Sequence, residues 1–216
     1  MINAVIFDMD GVMIDSEPLW ERTEKIMMVR KGLEYSPLYR EKIVGLGQKD
    51  SAKLLKHTFS LKSEIGDIIN ERLSILLDIY KKELVLNSGL TKLLHELTNN
   101  SFKIALTSSS PLRVIKFVLD KFDINKYYKT VVSGDFVEHG KPEPDIYLYT
   151  AELLGLKPET CVVIEDSING ILSAKRAGMK CIAVPDKRLD PAGFSPADII
   201  LESIADVDLH IIKKIS

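Results

Sequence analysis

Short apolar runs punctuate this chain at AVIF (4–7), KIALT (103–107), TVVS (130–133), CVVI (161–164), CIAV (181–184) and DIIL (198–201). Most are apolar at nearly every position instead of at every second one. A strand built that way has no face to give to water, so both faces of its sheet must be covered. Between the later runs lie stretches with helical spacing. LTKLLHEL follows Gly89, PLRVIKFVLDKF opens with a proline in its first turn, and DIYLYTAELLG stops at Gly155. Strands alternating with helices in this way predict an α/β fold, a doubly wound parallel sheet with helices on both sides.

Residues 16–84 break the alternation. SEPLWERTEKIMMVRKG, SPLYREKIVG, KDSAKLLKHTF and SEIGDIINERLSILLDIYKKEL all carry helical spacing, the last through Ile65, Ile68, Ile69, Leu73, Leu76 and Tyr80. None reads as a strand. The first strand's partners therefore come only after a helical insert, which predicts a discontinuous core of 1–15 and 85–216 with 16–84 as a cap over the strand ends. The crossings near Asp15 and at 82–88 are the expected hinges.

The first apolar run ends in charge. VIFDMDGVMIDSEPLW brings Asp8, Asp10, Asp15 and Glu17 close together in sequence, and carboxylates this near repel one another unless a positive group stands among them. In open parallel sheets ligands bind beyond the carboxyl ends of the strands, which is where Asp8 and Asp10 fall. Other strand ends carry polar groups to the same edge. KIALT runs into Ser108, Ser109 and Ser110, TVVS leads to Lys141 in HGKPEPD, and CVVI ends in Glu165, Asp166 and Ser167.

Each part suits phosphoryl transfer from a phosphate ester. A carboxylate attacks phosphorus once the phosphate's charge is neutralised, and Asp8, first off the strand, is the candidate nucleophile. Asp10 is placed to protonate the leaving oxygen and then to take a proton from water. Few hard oxygen ligands, with room for waters and phosphate, describe Mg²⁺, shared by Asp8 and Asp166 with the Asp10 carbonyl. Gly11 permits a tight turn. Ser108 and the amide at Ser109 can grip phosphate oxygens, and Lys141 can balance the charge of the transferred group. Each part also has a plainer reading. D-x-D-G can be an Asx-turn, TSSS a cap for the helix at Pro111, Lys141 a solvated lysine, and EDS a cap for INGILSAK. Their order along one edge favours a single site over four coincidences.

FDMDGVMID, ALTSS, GKPEPD and VIEDSINGILSAKRAG resemble the four motifs of the haloacid dehalogenase superfamily, in the branch with a small helical cap between the first and second motifs. The resemblance covers essentially the whole chain. It implies a Rossmann-like core, Mg²⁺ and an aspartyl-phosphate intermediate. It further implies Asp8 as nucleophile, Asp10 as general acid/base, Ser108 and Lys141 as phosphate binders, and Glu165 with Asp166 as the metal-side acidic pair. The metal set is then drawn from Asp8, Asp10, Glu165 and Asp166. The dehalogenases lack a second aspartate in this motif, so Asp10 argues for phosphate chemistry.

Within that branch the chain is similar to sugar phosphate phosphatases and to β-phosphoglucomutases. The mutases carry a histidine where this chain has Trp20 and a cap arginine where it has Gln48, so hydrolysis of phosphorylated sugars or polyols is the expected reaction and phosphosugar isomerisation the alternative. Trp20 either packs the cap helix or stacks on a sugar. Glu17 either bonds substrate hydroxyls or favours a helix N-terminus. Lys49 and Arg72 are further cap candidates. A receiver-like phosphorylation switch shares the acidic cluster, hydroxyl and lysine, but it lacks a large helical insert and carries its acceptor on a middle strand.

Charge bounds the partners. A formal net charge of -2 over 216 residues leaves no basic excess for nucleic acid or an anionic membrane. The expected partner is a small phosphate ester, and a monomer is the default. No secretory signal or membrane span is visible. Cys161 and Cys181 each begin an apolar run and read as small buried hydrophobes, which makes a reducing cytoplasm the expected setting.

Overall fold

The structure is a computed structural model that describes residues 1–36, 46–185 and 191–215. The helix expected within SPLYREKIVG falls mostly outside the described residues. The first strand, β1 (Ala4–Phe7), leads into a helical stretch whose described residues form α1 (Glu17–Arg30), α2 (Gln48–Thr58) and α3 (Ile65–Glu83). Alternation then begins with α4 (Leu90–Asn99), β2 (Lys103–Ser108), α5 (Leu112–Lys121) and β3 (Thr130–Ser133). It continues through α6 (Asp145–Leu154), β4 (Cys161–Glu165), α7 (Ile168–Arg176), β5 (Lys180–Ala183) and β6 (Ile199–Ile200) to α8 (Leu209–Lys214). The six strands form one parallel sheet in the order β3-β2-β1-β4-β5-β6. β1, first in sequence, is central because the strands after the helical insert add on both sides of it.

The continuous apolar runs are explained by two cores. Val5 and Phe7 of β1, Ile104 and Leu106 of β2, and Val162 and Ile164 of β4 face one layer, with Leu93, Val114 and Ile212 from α4, α5 and α8. Ala4, Ile6, Ala105 and Val163 face the other, with Tyr147 and Ala151 from α6 and Ile171 and Ala174 from α7. Adjacent residues of one strand thus enter opposite cores, as the two-residue period requires. Cys161 and Cys181 are free, buried thiols in the second core.

The helical insert has an apolar cluster of its own, with Met27 and Met28 of α1, Ala52 and Leu55 of α2, and Ile68, Ile75 and Ile79 of α3. Its lower face joins the sheet's first core through Trp20, Leu73, Leu76 and Tyr80. The two chain crossings run side by side. Ile14 pairs with Leu86 in an isolated antiparallel bridge. Asn87 donates its backbone N–H to the Met13 carbonyl and its side-chain amide to the carbonyls of Gly11 and Val12. Among the described residues no helix is long and apolar enough to cross a membrane.

Candidate active site

Register sets the site. Phe7 lies opposite Leu106 on one side and Ile164 on the other, so Asp8 comes level with Thr107 and Glu165, and Ser108 follows one residue beyond at the same edge. Asp8 stays anchored to β4 through its N–H, which donates to the Ile164 carbonyl at 3.0 Å. Asp8, Lys141, Glu165 and Asp166 are each at most 5 % exposed. Among the described residues, four carboxylates, counting Asp10, share this edge with the buried Lys141 ammonium.

Lys141 bridges the first and fourth motifs. Its Nζ donates to Asp8 Oδ1 at 2.6 Å and to Glu165 Oε1 at 2.5 Å. Glu165 is fully occupied. Its Oε1 also accepts from the Tyr147 hydroxyl at 2.9 Å, while Oε2 accepts from the N–H groups of Asp166 and Ser167 and from Ser167 Oγ, each at 3.0 Å. Burial opposes its charge, but Lys141 and these donors hold the Glu165 carboxyl below the usual range. Burial likewise opposes the ammonium of Lys141, yet Asp8 and Glu165 hold it well above its ordinary value. The lysine's charge is shared between Asp8 and Glu165. Burial therefore dominates at Asp8 and, with Glu165 and Asp10 nearby and Lys141 pulling the other way, pushes it up to about 8. Burial, Glu165 and Asp8 raise Asp166 well above a normal carboxyl as well.

Two glycines make this crowding possible. Gly11 has φ +79, and a Cβ there would lie 1.8 Å from Asp166 Oδ2. At Gly170 a Cβ would lie 1.7 Å from Glu165 Oε1. Any side chain at either position displaces a carboxylate. Ser167 caps α7 by accepting from the Gly170 N–H at 3.1 Å, so EDS serves as helix cap and site wall together.

The serines after β2 turn toward Asp10. Ser110 Oγ donates to Asp10 Oδ2 at 2.9 Å, and Ser108 Oγ reaches the same oxygen at 3.4 Å while accepting from the Ser110 N–H. They do not cap α5. Pro111 is its N-cap, and the free N–H of Leu112 is met by Asp135 Oδ2 at 2.9 Å. Ser133 of β3 donates to the Ser110 carbonyl and fixes that loop from the neighbouring strand.

The helical layer closes the site from above. Asp8, Asp10, Glu17, Trp20, Gln48, Ser108, Ser109, Lys141 and Asp166 all border one cleft, and Glu165 lies just behind it. Arg72, Ser51, Ser110 and Ser167 border it too. Lys49 is exposed and faces a neighbouring groove instead. Trp20 donates its indole N–H to Asp10 Oδ1 at 3.1 Å, and one face of its ring carries the Arg72 guanidinium 5.2 Å from the centroid. Arg72, 2 % exposed, pairs with the buried Glu24 at 2.8 Å and donates to Gln48 Oε1 at 3.4 Å. The Trp20 ring thus neither stands free nor merely packs. Tyr80, read in sequence as one more apolar position, points its hydroxyl at Asp10 Oδ1 at 3.4 Å. Tyr147 gave no signal beyond following GKPEPD. Arg72 and Glu24 had one, a charge set within an apolar stripe.

The model of the haloacid dehalogenase-like hydrolases matches residues 5–184, through all four strand-end loops of this cleft. The chain belongs to that family. It is 33% identical to the phosphorylated carbohydrates phosphatase of Thermotoga maritima over 84% of either chain. It is 29% identical to hexitol phosphatase B of Escherichia coli, covering 95% of this chain and 94% of the relative. The crystal structure of CbbY from Rhodobacter sphaeroides in complex with phosphate superposes with a TM-score of 0.89 at 28% identity, covering 99% of this chain and 100% of CbbY.

Proposed function

We propose that the chain is a Mg²⁺-dependent phosphatase of small phosphorylated sugars or polyols that works through an aspartyl-phosphate on Asp8, with 16–84 acting as a cap over a core of 1–15 and 85–216. The observation that carries this reading is Lys141 Nζ held 2.6 Å from Asp8 Oδ1, with Asp10 and the serine loop bordering the same cleft. Relatives named as phosphatases of phosphorylated carbohydrates and hexitols support the substrate class.

Asp8 attacks phosphorus while Asp10 gives its proton to the departing sugar oxygen. Asp10 then takes a proton from a water that attacks the same phosphorus, and the bond to Asp8 breaks with release of phosphate. Ser108, Ser109 and Lys141 hold the phosphoryl oxygens, and Glu17, Trp20 and Gln48 face the sugar. Glu165, its oxygens fully engaged, holds Lys141 and the loop in place.

The donor set fits Mg²⁺. Among the described residues no three His, Cys, Asp or Glu side chains form a cage by themselves, and Mg²⁺ asks for only one or two carboxylates beside waters and phosphate. Asp8 is raised by burial with Glu165 and Asp10 nearby, and Asp166 by burial with Glu165 and Asp8 nearby, which is the deficit of positive charge that such an ion relieves. Asp8 and Asp166, with the Asp10 backbone carbonyl, would hold it, and when bound it neutralises phosphate charge.

The cleft has a volume of about 60 Å³, against roughly 300–1,000 Å³ for pockets that hold small ligands. A sugar phosphate enters only when the helical layer swings away at the crossings near Asp15 and 82–88. The test is phosphate release across phosphorylated sugars, polyols, nucleotides and glycolate, with Mg²⁺ and with excess chelator. Sugars or polyols should lead, chelator should stop turnover, and Asp8→Asn should abolish it. Full activity in chelator would refute the metal-dependent mechanism.

One observation favours a second reading. Arg72 brings to the cleft a guanidinium that Gln48 does not supply, and a planar donor suits the distal phosphate of a sugar bisphosphate. With β-glucose 1-phosphate and a trace of glucose 1,6-bisphosphate, glucose 6-phosphate forming faster than free phosphate would establish a mutase.

A further inference from the structure

The ammonium of Lys141 lies between two carboxylates and against an aromatic ring. The loop that carries it is fixed from α7, where Ser173 Oγ donates to the Glu143 carbonyl at 2.6 Å and Arg176 to the Pro142 carbonyl at 3.0 Å. What remains adjustable is the charged end of a flexible stem. Tyr147 of α6 touches that end twice over. Its ring carries Lys141 Nζ 5.1 Å from the centroid, within cation–π range, and its hydroxyl donates at 2.9 Å to Glu165 Oε1, the same oxygen that accepts from Lys141. The ring is wholly buried in the second core. α6 itself is tied to β2 by the Thr107 and Thr150 hydroxyls, 2.8 Å apart, and by Lys103 Nζ, which donates to the Leu154 carbonyl at 2.7 Å.

We propose that Tyr147 is a positioning residue for Lys141, setting how the ammonium is divided between Glu165 and the Asp8 side of the cleft, where the phosphoryl group is transferred. This rests on the phosphatase reading for the role of Lys141. Two donors on Oε1 share its negative charge, so the Tyr147 hydroxyl limits the hold of Glu165 on the lysine. Without it, the ammonium settles toward Glu165 and away from Asp8. The ring face meanwhile attracts the charge without acting as a directed acceptor. That leaves the remaining N–H of Lys141, which borders the cleft, for a phosphoryl oxygen.

Tyr147→Phe tests it, because the buried ring stays and the hydroxyl goes. The lost hydrogen bond is to a charged group, so kcat/KM should fall roughly 10-fold. The loss should be the same for an aryl phosphate and a sugar phosphate, since Lys141 acts on the group transferred and not on the one that leaves. Orthovanadate and inorganic phosphate give a readout that a structural role would not move. Vanadate takes the trigonal-bipyramidal geometry of phosphoryl transfer, in which Lys141 serves the attacking and transferred oxygens together. Its inhibition constant should rise by about the same 10-fold, whereas that of phosphate should change less than about twofold. The ratio of the two constants does not depend on how much of the protein folds, so a poorly folding variant still answers. In a Glu165→Gln background the further loss from Tyr147→Phe should shrink below about twofold, because no charge is left for the hydroxyl to share. Asp8→Asn is the reference. If it abolishes turnover while Tyr147→Phe keeps the wild-type kcat/KM and vanadate constant, the positioning is wrong and the phosphatase reading survives. An equal rise in both inhibition constants, a loss confined to the sugar ester, or full additivity with Glu165→Gln would each overturn it as well. Wild-type turnover in Asp8→Asn would overturn the phosphatase reading itself.

Discussion

Two buried cations face one another across the cleft, and they are held in opposite ways. Lys141, on the sheet side, shares one ammonium between Asp8 and Glu165, and the edge as a whole remains short of positive charge. Arg72, on the helical side, pairs with Glu24 at 2.8 Å and nearly full burial, one cation set directly against one carboxylate. An imbalance maintained at the cost of burial points to groups that wait for a charged ligand, whereas a matched pair can be structural. The sheet edge is arranged for chemistry, and the helical layer for holding shape and contacting what the edge binds.

The largest effect should follow from removing the sheet-side cation. Lys141→Met leaves Asp8 facing phosphate without its side-chain cation, and kcat should fall on the order of 10³-fold or more, measured as phosphate release. Gly11→Ala sharpens the same point from the backbone, since its Cβ takes the space of Asp166 Oδ2. We expect roughly a 10²-fold loss of activity with weakened Mg²⁺ dependence, followed by metal titration.

Across the cleft the loss should appear in stability. Arg72→Met removes the guanidinium that the buried Glu24 faces at 2.8 Å and should cost about 3–5 kcal/mol in denaturant unfolding. The double variant Glu24→Leu with Arg72→Met should recover most of it, because two apolar side chains can replace a matched pair. If the double variant stayed as unstable as the single one, the helical pair would be no simpler than the sheet-side one and the comparison would fail.

A smaller effect follows from pH. Asp8 is raised from an unfolded value near 4 to about 8, so between these values the folded protein binds more protons than the unfolded one, and stability falls as pH rises. Asp166 acts in the same direction. Glu165, shifted down, contributes stability that is lost only in acid, below that window. In chelator Tm should therefore drop between about pH 5 and pH 8, and Mg²⁺ should raise Tm more at the upper end. The smallest effect belongs to the exposed Arg22–Glu83 pair joining α1 to α3 at 2.6 Å. Arg22→Ala should change unfolding free energy by less than about 1 kcal/mol.

The sheet was legible because its signal is local. AVIF, TVVS and CVVI fall on β1, β3 and most of β4 since an apolar run needs no distant partner to be recognised, and parallel strand ends then bring Asp8, Ser108 and Glu165 to one edge. Chemistry-bearing residues at strand ends could be placed in the cleft for the same reason. The helical half was harder to read. Periodicity located α1, α2 and α3, but a 3.6-residue stripe says which side of a helix is buried and nothing about what lies opposite. Tyr80 therefore looked like one more apolar position, and Trp20 like a packing or stacking ring.

Sequence alone determined the doubly wound sheet, the helical interruption after β1, and the strand-end carboxylates, hydroxyls and lysine, because each depends on the character of neighbouring residues. Only the tertiary structure decided the pairings across the cleft. Trp20 reaches Asp10, Arg72 pairs with Glu24 rather than standing free, and Glu165 spends every oxygen on Lys141, Tyr147 and its own loop. These contacts join residues far apart in sequence, 48 positions for Arg72 and Glu24 and 70 for Tyr80 and Asp10. A hydrogen bond depends on distance and angle between particular atoms, and those are set by how the helices settle on the sheet, which no local pattern encodes.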